Sequence, residues 1–361
     1  MAADSKIEWC DATFNPWIGC TKVSPACDHC YAEHSTPART MKVGWGAHEP
    51  RRRTSAATWA LPKRWNVQAT VFFAQHGRRQ RVFCASLADW LDNAVDVEWL
   101  IDLLALVRLT PDLDWLMLSK RIGIWRSRLE AAAAALRGRL ERASEATVAL
   151  LRWIERWLAG NPPANVWLGA TVVDQAEADR DIPKLQDTPA AVRFLSMEPL
   201  LGPVWLGADG HGRFGGISRA SGDGEWTYSD HPLEGRRSTK CGEYDVPRID
   251  WVIVGGESGP NARPAHPDWV RSLRDQCQHA GVPFLFKQHG EWREPAAGEE
   301  FDTSMGRAQR RPAFIMSEAG TVHCFESGSI VNGKAIIRIG KKAAGRLLDG
   351  REWNEVPHGS A

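Results

Sequence analysis

The chain has 361 residues, 43% hydrophobic and 25% charged, with a formal net charge of +1. That length buries a sizeable core in one large domain with additions or in two domains, and eight cysteines spread through it do not make a disulfide scaffold. Near-neutrality gives no global attraction to nucleic acid or membrane, so any such partner must be met by a local patch.

The N-terminus, "MAADSKIEWCD", lacks the basic-then-apolar order of a secretory signal. No apolar run reaches the roughly 18 residues of a membrane span. A reducing cytoplasm is the expected compartment. A first strand is expected near Thr13 to Trp17, followed at once by "IGCTKVSPACDHCYAEH", which carries Cys20, Cys27 and Cys30. The next connection holds "EPRRRTS", a basic run of Arg51, Arg52 and Arg53 with Trp45, Trp59 and Trp65 nearby. Such a run suits phosphate contact with stacking aromatics, or a solvated surface over core tryptophans.

Nearly continuous apolar runs then recur: "RVFCASLAD" (Arg81 to Asp89), "DWLMLSKR" (Asp114 to Arg121), "NVWLGATV" (Asn165 to Val172), "VRFLSMEPL" (Val192 to Leu200), "DWVIVGGESG" (Asp250 to Gly259) and "PFLFKQHG" (Pro283 to Gly290). Runs of this kind suit strands buried on both faces, as in a parallel sheet. Helical periodicity separates them: Val97 to Leu109, a long alanine-rich segment ending at Gly160, and "HPDWVRSLRDQCQHAG" with Gly281 as its stop. Cys84 and Cys277 lie in apolar patterns that suit buried thiols. About seven strands alternating with helices predict an α/β fold, a partial or full (β/α) TIM-like barrel. The barrel is expected over 1–290, interrupted by a Gly-rich loop insertion at about 207–247. A small basic C-terminal subdomain with a hairpin, "AFIMSEAGTVHCF", is expected over 291–361.

The spacing C-x6-C-x2-C selects a thiophilic metal, zinc or the irons of an iron–sulfur cluster. Cys10, His29 or His34 would complete a four-ligand zinc site, giving a zinc-stabilised nucleic-acid-binding protein without redox chemistry. Three thiolates on a [4Fe–4S] cluster leave one iron for a cofactor. Residue chemistry alone weights the two nearly equally. Position favours the cluster, because a loop after the first strand lies at the C-terminal mouth where barrel active sites are built.

The segments "TFNPWIGCTKVSPACDHCYA", "RVFCASLADW", "LSKR", "NVWLGATV", "SMEPLLGP", "WVIVGGESGPNARP", "FKQHGEW" and "GKKAAGRLLDGREW" span nearly the whole chain. In that order they resemble the radical S-adenosylmethionine superfamily, and more closely a phage-associated family of three-cysteine radical-SAM-like proteins. The superfamily's commonest loop is C-x3-C-x2-C, and here the first interval is six. The resemblance implies that Cys20, Cys27 and Cys30 ligate a [4Fe–4S] cluster whose fourth iron holds S-adenosylmethionine. An electron from a flavodoxin or ferredoxin would cleave that cofactor to a 5′-deoxyadenosyl radical, which abstracts hydrogen from the substrate. Nucleic-acid or nucleotide modification or repair is the expected reaction class, with a peptide or small metabolite as the alternative substrate.

Cofactor-binding candidates follow from the resemblance and from the strand ends. His29 and Tyr31 flank the last cysteine. Ser119, Lys120 and Arg121 close the "LSKR" strand, where a cation pairs with a cofactor carboxylate or is merely solvated. Ser196 and Glu198 close another strand, and Glu198 suits a ribose diol or an ammonium. Gly255 and Gly256 let a flat ring or phosphate approach the backbone, with Glu257 after them. Lys287, Gln288 and His289 end the last strand; Lys287 and Gln288, with Arg52 and Arg53, are the substrate-binding candidates.

Overall fold

The nearly continuous apolar runs form strands: β1 Ala12–Phe14, β2 Gln80–Cys84, β3 Leu113–Ser119, β4 Val166–Thr171, β5 Val192–Met197, β6 Trp251–Gly255 and β7 Phe284–Gln288. Every residue of β2, β4 and β6 is buried, the burial that two covered faces impose. The computed structural model describes residues 5–207, 217–220, 227–239, 242–296, 298–299, 313–323 and 333–357. Seven strands make one parallel sheet in strictly sequential order, β1-β2-β3-β4-β5-β6-β7. In β2, Phe83 pairs with Thr13 on one side and Leu116 on the other. Sequential order without a reversal is the connectivity of a partial (β/α) barrel, not of a doubly wound sheet.

Two compact units divide the chain: residues up to Ala170 with Lys184–Phe194, and Thr171–Pro183 with Leu195–Pro357. In the first, α1 (Val97–Arg108) starts where the Asp96 side chain accepts from Glu98 N, and it buries Leu100, Ile101, Leu103, Leu104, Leu106 and Val107. The alanine-rich segment is not one helix. It forms α2 (Trp125–Arg137) and α3 (Glu145–Leu158), because Gly138 ends the first and Ser144 caps the second through Thr147 N at 3.2 Å. Cys84 is fully buried here, as is Cys277 in the second unit.

α4 is Gln175–Gln186. In the second unit, α5 (Pro267–Ala280) ends at Gly281, whose φ of 63° is the left-handed stop read from the sequence. The glycine-rich stretch expected to be a loop instead contains strands at Ile217–Ala220, Thr227–His231, Arg236–Thr239 and Gly242–Asp245, paired in one antiparallel sheet. Its Gly and Asp content sits partly in turns, such as the one closing at Gly235 with φ of 72°. The C-terminal hairpin is present: Ala313–Met316 pairs with Val322–His323 and with Lys334–Arg338. Cys241 and Cys324 lie outside the described residues. Among the described residues, no helix is long and apolar enough to cross a membrane.

Candidate functional site

The cysteine loop leaves β1 on a pinned backbone. Asn15 Oδ1 accepts from Leu87 N at 2.7 Å, and Gly19 N donates to Leu87 O at 3.2 Å. Cys20 follows, and the Arg121 guanidinium meets it beyond the end of β3. Nη1 of Arg121 donates to Cys20 Sγ at 3.5 Å and to Asp89 Oδ2 at 3.0 Å, while Nη2 donates to Thr21 O at 2.7 Å. Asp89 is 4% exposed and held from several sides. Ser119 Oγ (2.8 Å) and Leu91 N (3.0 Å) donate to its Oδ1, and Lys120 N (3.0 Å) to its Oδ2. A second arginine reaches the same loop: Arg51 Nη2 donates to Thr21 Oγ1 at 2.6 Å, and its Nε to Asp92 Oδ2 at 2.8 Å.

Burial, followed by the Asp89 carboxylate, pushes the Cys20 thiol up to about 11, with Arg121 pulling the other way. Cys27 ends a one-turn helix, Pro25–Cys27, capped by Ser24 Oγ on Ala26 N at 3.1 Å. Cys30 packs against the apolar cluster of Ile18, Ala32, Ala38 and Leu87. Tyr31 is exposed, with its hydroxyl on Ser86 O at 2.8 Å; His29 is half-buried. Among the described residues none of the three cysteines is in a disulfide. Among the described residues, no three His, Cys, Asp or Glu side chains converge as ligands of a single ion must. A cluster puts each sulfur on a different iron, so the donor set of three thiols on one loop, with a cation against the first, fits it in chemistry.

Cys10 stands apart. It precedes β1, is buried, and its Sγ meets Ser5 Oγ at 3.4 Å. Its neighbour Asp11 takes Arg81 N, at the start of β2, at 2.8 Å. Cys10 and Cys20 therefore lie at opposite ends of the first strand.

The basic run splits into three roles. Arg51 is inside, its side chain 1% exposed, as is that of Asp92. Arg53 pairs with Asp102 at 2.6 Å and covers the Trp59 ring at 4.4 Å. Arg52 is exposed. Of the tryptophans nearby, Trp65 is buried and Trp45 packs on the apolar cluster, the core role.

In the second unit the ends of β5, β6 and β7 bring Glu198, Lys287, Gln288 and Ser258 together. Lys287 Nζ donates to both oxygens of Glu198, at 2.7 and 2.9 Å. Gln288 Nε2 reaches Glu198 Oε1 at 3.3 Å and Ser258 Oγ at 3.1 Å, which fixes the amide's orientation and leaves the buried Oε1 without a hydrogen-bond partner among the described residues. Thr171 Oγ1, at the end of β4, is likewise buried and has no hydrogen-bond partner among the described residues. Glu198 lies against Gly255, where a Cβ would be 3.3 Å from its Cδ. At Gly256 a Cβ would come within 1.9 Å of His289 O, so only glycine fits.

Glu257 is buried and accepts from Arg263 Nε at 2.9 Å and Nη2 at 2.7 Å, an ion pair that shapes the loop. Ser196 is buried and its carbonyl takes Val172 N at 3.2 Å. Burial pushes the His289 imidazole below its usual range, and its Nε2 sits 2.8 Å from Leu347 O, so His289 ties down the C-terminal segment.

Several sequence expectations change on this geometry. Arg121 is already committed to Asp89, Cys20 and Thr21, whereas the ammonium of neighbouring Lys120 has no ion-pair partner among the described residues. Glu198 is neutralised by Lys287 and does not present a lone carboxylate to an ammonium. Asp89, Thr21 and Asp92 are absent from the site residues expected from the sequence. Asp89 closes the "CASLAD" run just past a strand, and that position was the available signal.

Strand order and strand-end side chains together define an α/β protein that presents polar groups at the C-terminal ends of a parallel sheet. The chain belongs to the family described as Protein of unknown function (DUF5131), whose model matches residues 4–357. No curated protein and no solved structure matches it.

Proposed function

We propose that this chain is an enzyme of the radical S-adenosylmethionine type, with Cys20, Cys27 and Cys30 holding a [4Fe–4S] cluster, that modifies or repairs a nucleic acid or nucleotide. The observation that carries the reading is the position of the cysteine loop. It leaves β1 and is tied through Arg121 to Asp89 and the end of β3, at the mouth side of a sequential parallel sheet. When bound, the cluster and S-adenosylmethionine supply one-electron reductive cleavage for hydrogen abstraction.

The chain's own residues have the remaining tasks. Lys120 offers a cation at the end of β3 to an anionic group of the cofactor. The Glu198–Lys287 pair presents no net charge, so it suits a hydroxyl-bearing group that both donates and accepts. Gln288 Oε1 and Thr171 Oγ1 are buried atoms that a ligand's donors would satisfy. Exposed Arg52 in the first unit and, separately, exposed Lys341 and Lys342 in the second are cations that suit phosphate.

The test is anaerobic purification with metal analysis, followed by assay of S-adenosylmethionine cleavage with and without DNA or RNA. About four iron and four sulfide per chain are expected, with cleavage stimulated by nucleic acid. One zinc and no sulfide would overturn the cluster. Loaded protein whose cleavage no nucleic acid stimulates would move the substrate to a peptide or metabolite.

A further inference from the structure

Arg121 does more than close the end of β3. We infer that Arg121, held in place by Asp89, is the positioning residue that fixes Cys20 and sets the reduction potential of the cluster it ligates; this rests on the iron–sulfur reading above. Arg121 Nη1 points at the sulfur of Cys20 (3.5 Å) and Nη2 at the carbonyl of Thr21 (2.7 Å), so one planar group grips both the ligand atom and its backbone. The side chain is 8% exposed, which leaves its charge weakly screened.

Asp89 orients that group. Its carboxylate takes Ser119 Oγ, Leu91 N, Lys120 N and Arg121 Nη1, so the guanidinium is anchored to the end of β3 and to the loop that follows β2. Ser119 Oγ in turn accepts from Arg121 N at 2.8 Å, which closes the network. The path from the sheet to the first cysteine is thus continuous: strand ends, Asp89, Arg121, Cys20.

Among the described residues nothing comparable grips the other two cysteines: Cys27 ends a Ser24-capped turn and Cys30 packs on apolar side chains. A hydrogen bond and a positive charge at one ligating sulfur favour the reduced, more negative cluster, and outer partners of a ligand tune both affinity and potential. Removing Arg121 is therefore expected to make reduction harder and to loosen one ligand of three.

The experiment uses the full chain, reconstituted anaerobically with iron and sulfide, as wild type, Arg121→Met, Arg121→Lys and Arg126→Met. Arg126 is an exposed arginine on α2 paired with Glu130, and it controls for loss of charge alone. Iron and sulfide per chain and the midpoint potential from dye-mediated titration are read for each. Arg121→Met is expected to shift the potential negative and to lose iron faster to a chelator. Arg121→Lys is expected to recover part of the potential, and Arg126→Met to match wild type. Should Arg121→Met fail to fold, Arg121→Lys carries the comparison, with a potential equal to wild type counting against the inference. Loaded Arg121→Met with the wild-type potential and chelation rate overturns it and leaves the iron–sulfur reading standing. A wild-type chain that takes up no iron and sulfide overturns that reading, and this inference falls with it.

Discussion

Arg51 is expected to be one of the most stabilising charged residues of the chain, although it opens a run that reads as a surface basic patch. Arg51→Met removes the Nε donor, 2.8 Å from Asp92, and leaves a carboxylate whose side chain is 1% exposed without its cation. It also strips donors from Gly46 O, Glu49 O and Thr21 Oγ1. Asp92 Oδ1 keeps only Ala94 N among the partners described for it. Breaking a buried pair from one side costs about 3–5 kcal/mol, because the remaining charge stays buried without its counter-ion. Urea unfolding followed by tryptophan fluorescence measures the loss. Arg52→Met, one residue along and exposed, is the control, expected within about 0.5 kcal/mol of wild type. The double variant Arg51→Met/Asp92→Leu is expected to lose less than the single changes summed. If Arg51→Met unfolds within about 0.5 kcal/mol of wild type and instead weakens nucleic-acid binding, the buried-pair argument fails.

Three further outcomes are expected. Burial pushes the Asp114 carboxyl up to about 6 from 3.8, so between those values the folded chain binds more protons than the unfolded one and stability falls as pH rises. Asp114→Asn is expected to flatten that fall and to be more stable at pH 8 by up to about 3 kcal/mol, read by denaturant melts at pH 4 and pH 8; an equal effect at both would contradict it. Gly256→Ala forces a Cβ against His289 O and is expected to cost about 2–4 kcal/mol or prevent soluble expression, checked by thermal melting. Cys10→Ala is expected to leave iron and sulfide uptake unchanged, while Cys20→Ala, Cys27→Ala and Cys30→Ala each reduce it. Uptake that requires Cys10 would return the zinc alternative.

The sheet was legible because strands buried on both faces leave long apolar runs, and each of the six runs from Arg81 to Gly290 matches a strand whose start lies within a residue of it or inside it. The α2–α3 break was not, since alanine propensity runs on through Gly138 and only the Ser144 cap marks the restart. Composition misled in the glycine-rich insertion, where strands of Ser, Arg and Thr carry no apolar signature. Site residues were legible as chemical types at strand ends but not as pairs. Glu198 and Lys287 are 89 residues apart, and Arg51 and Asp92 are 41 apart. Which cation meets which carboxylate is decided by the fold, so Glu198 reads as a lone ligand and Arg51 as a surface charge until the partners are seen.

The long first interval of the cysteine loop has a simpler meaning in terms of chain entropy. Of the six residues between Cys20 and Cys27, Thr21 is gripped by two arginines, and Ser24 through Ala26 belong to a capped turn. Only Lys22 and Val23 span between the two fixed points, and Lys22 is itself bonded to Asp28 O and Glu33. A six-residue spacer thus behaves as a two-residue hinge, and most of its ordering cost is met when the chain folds, before any ligand arrives.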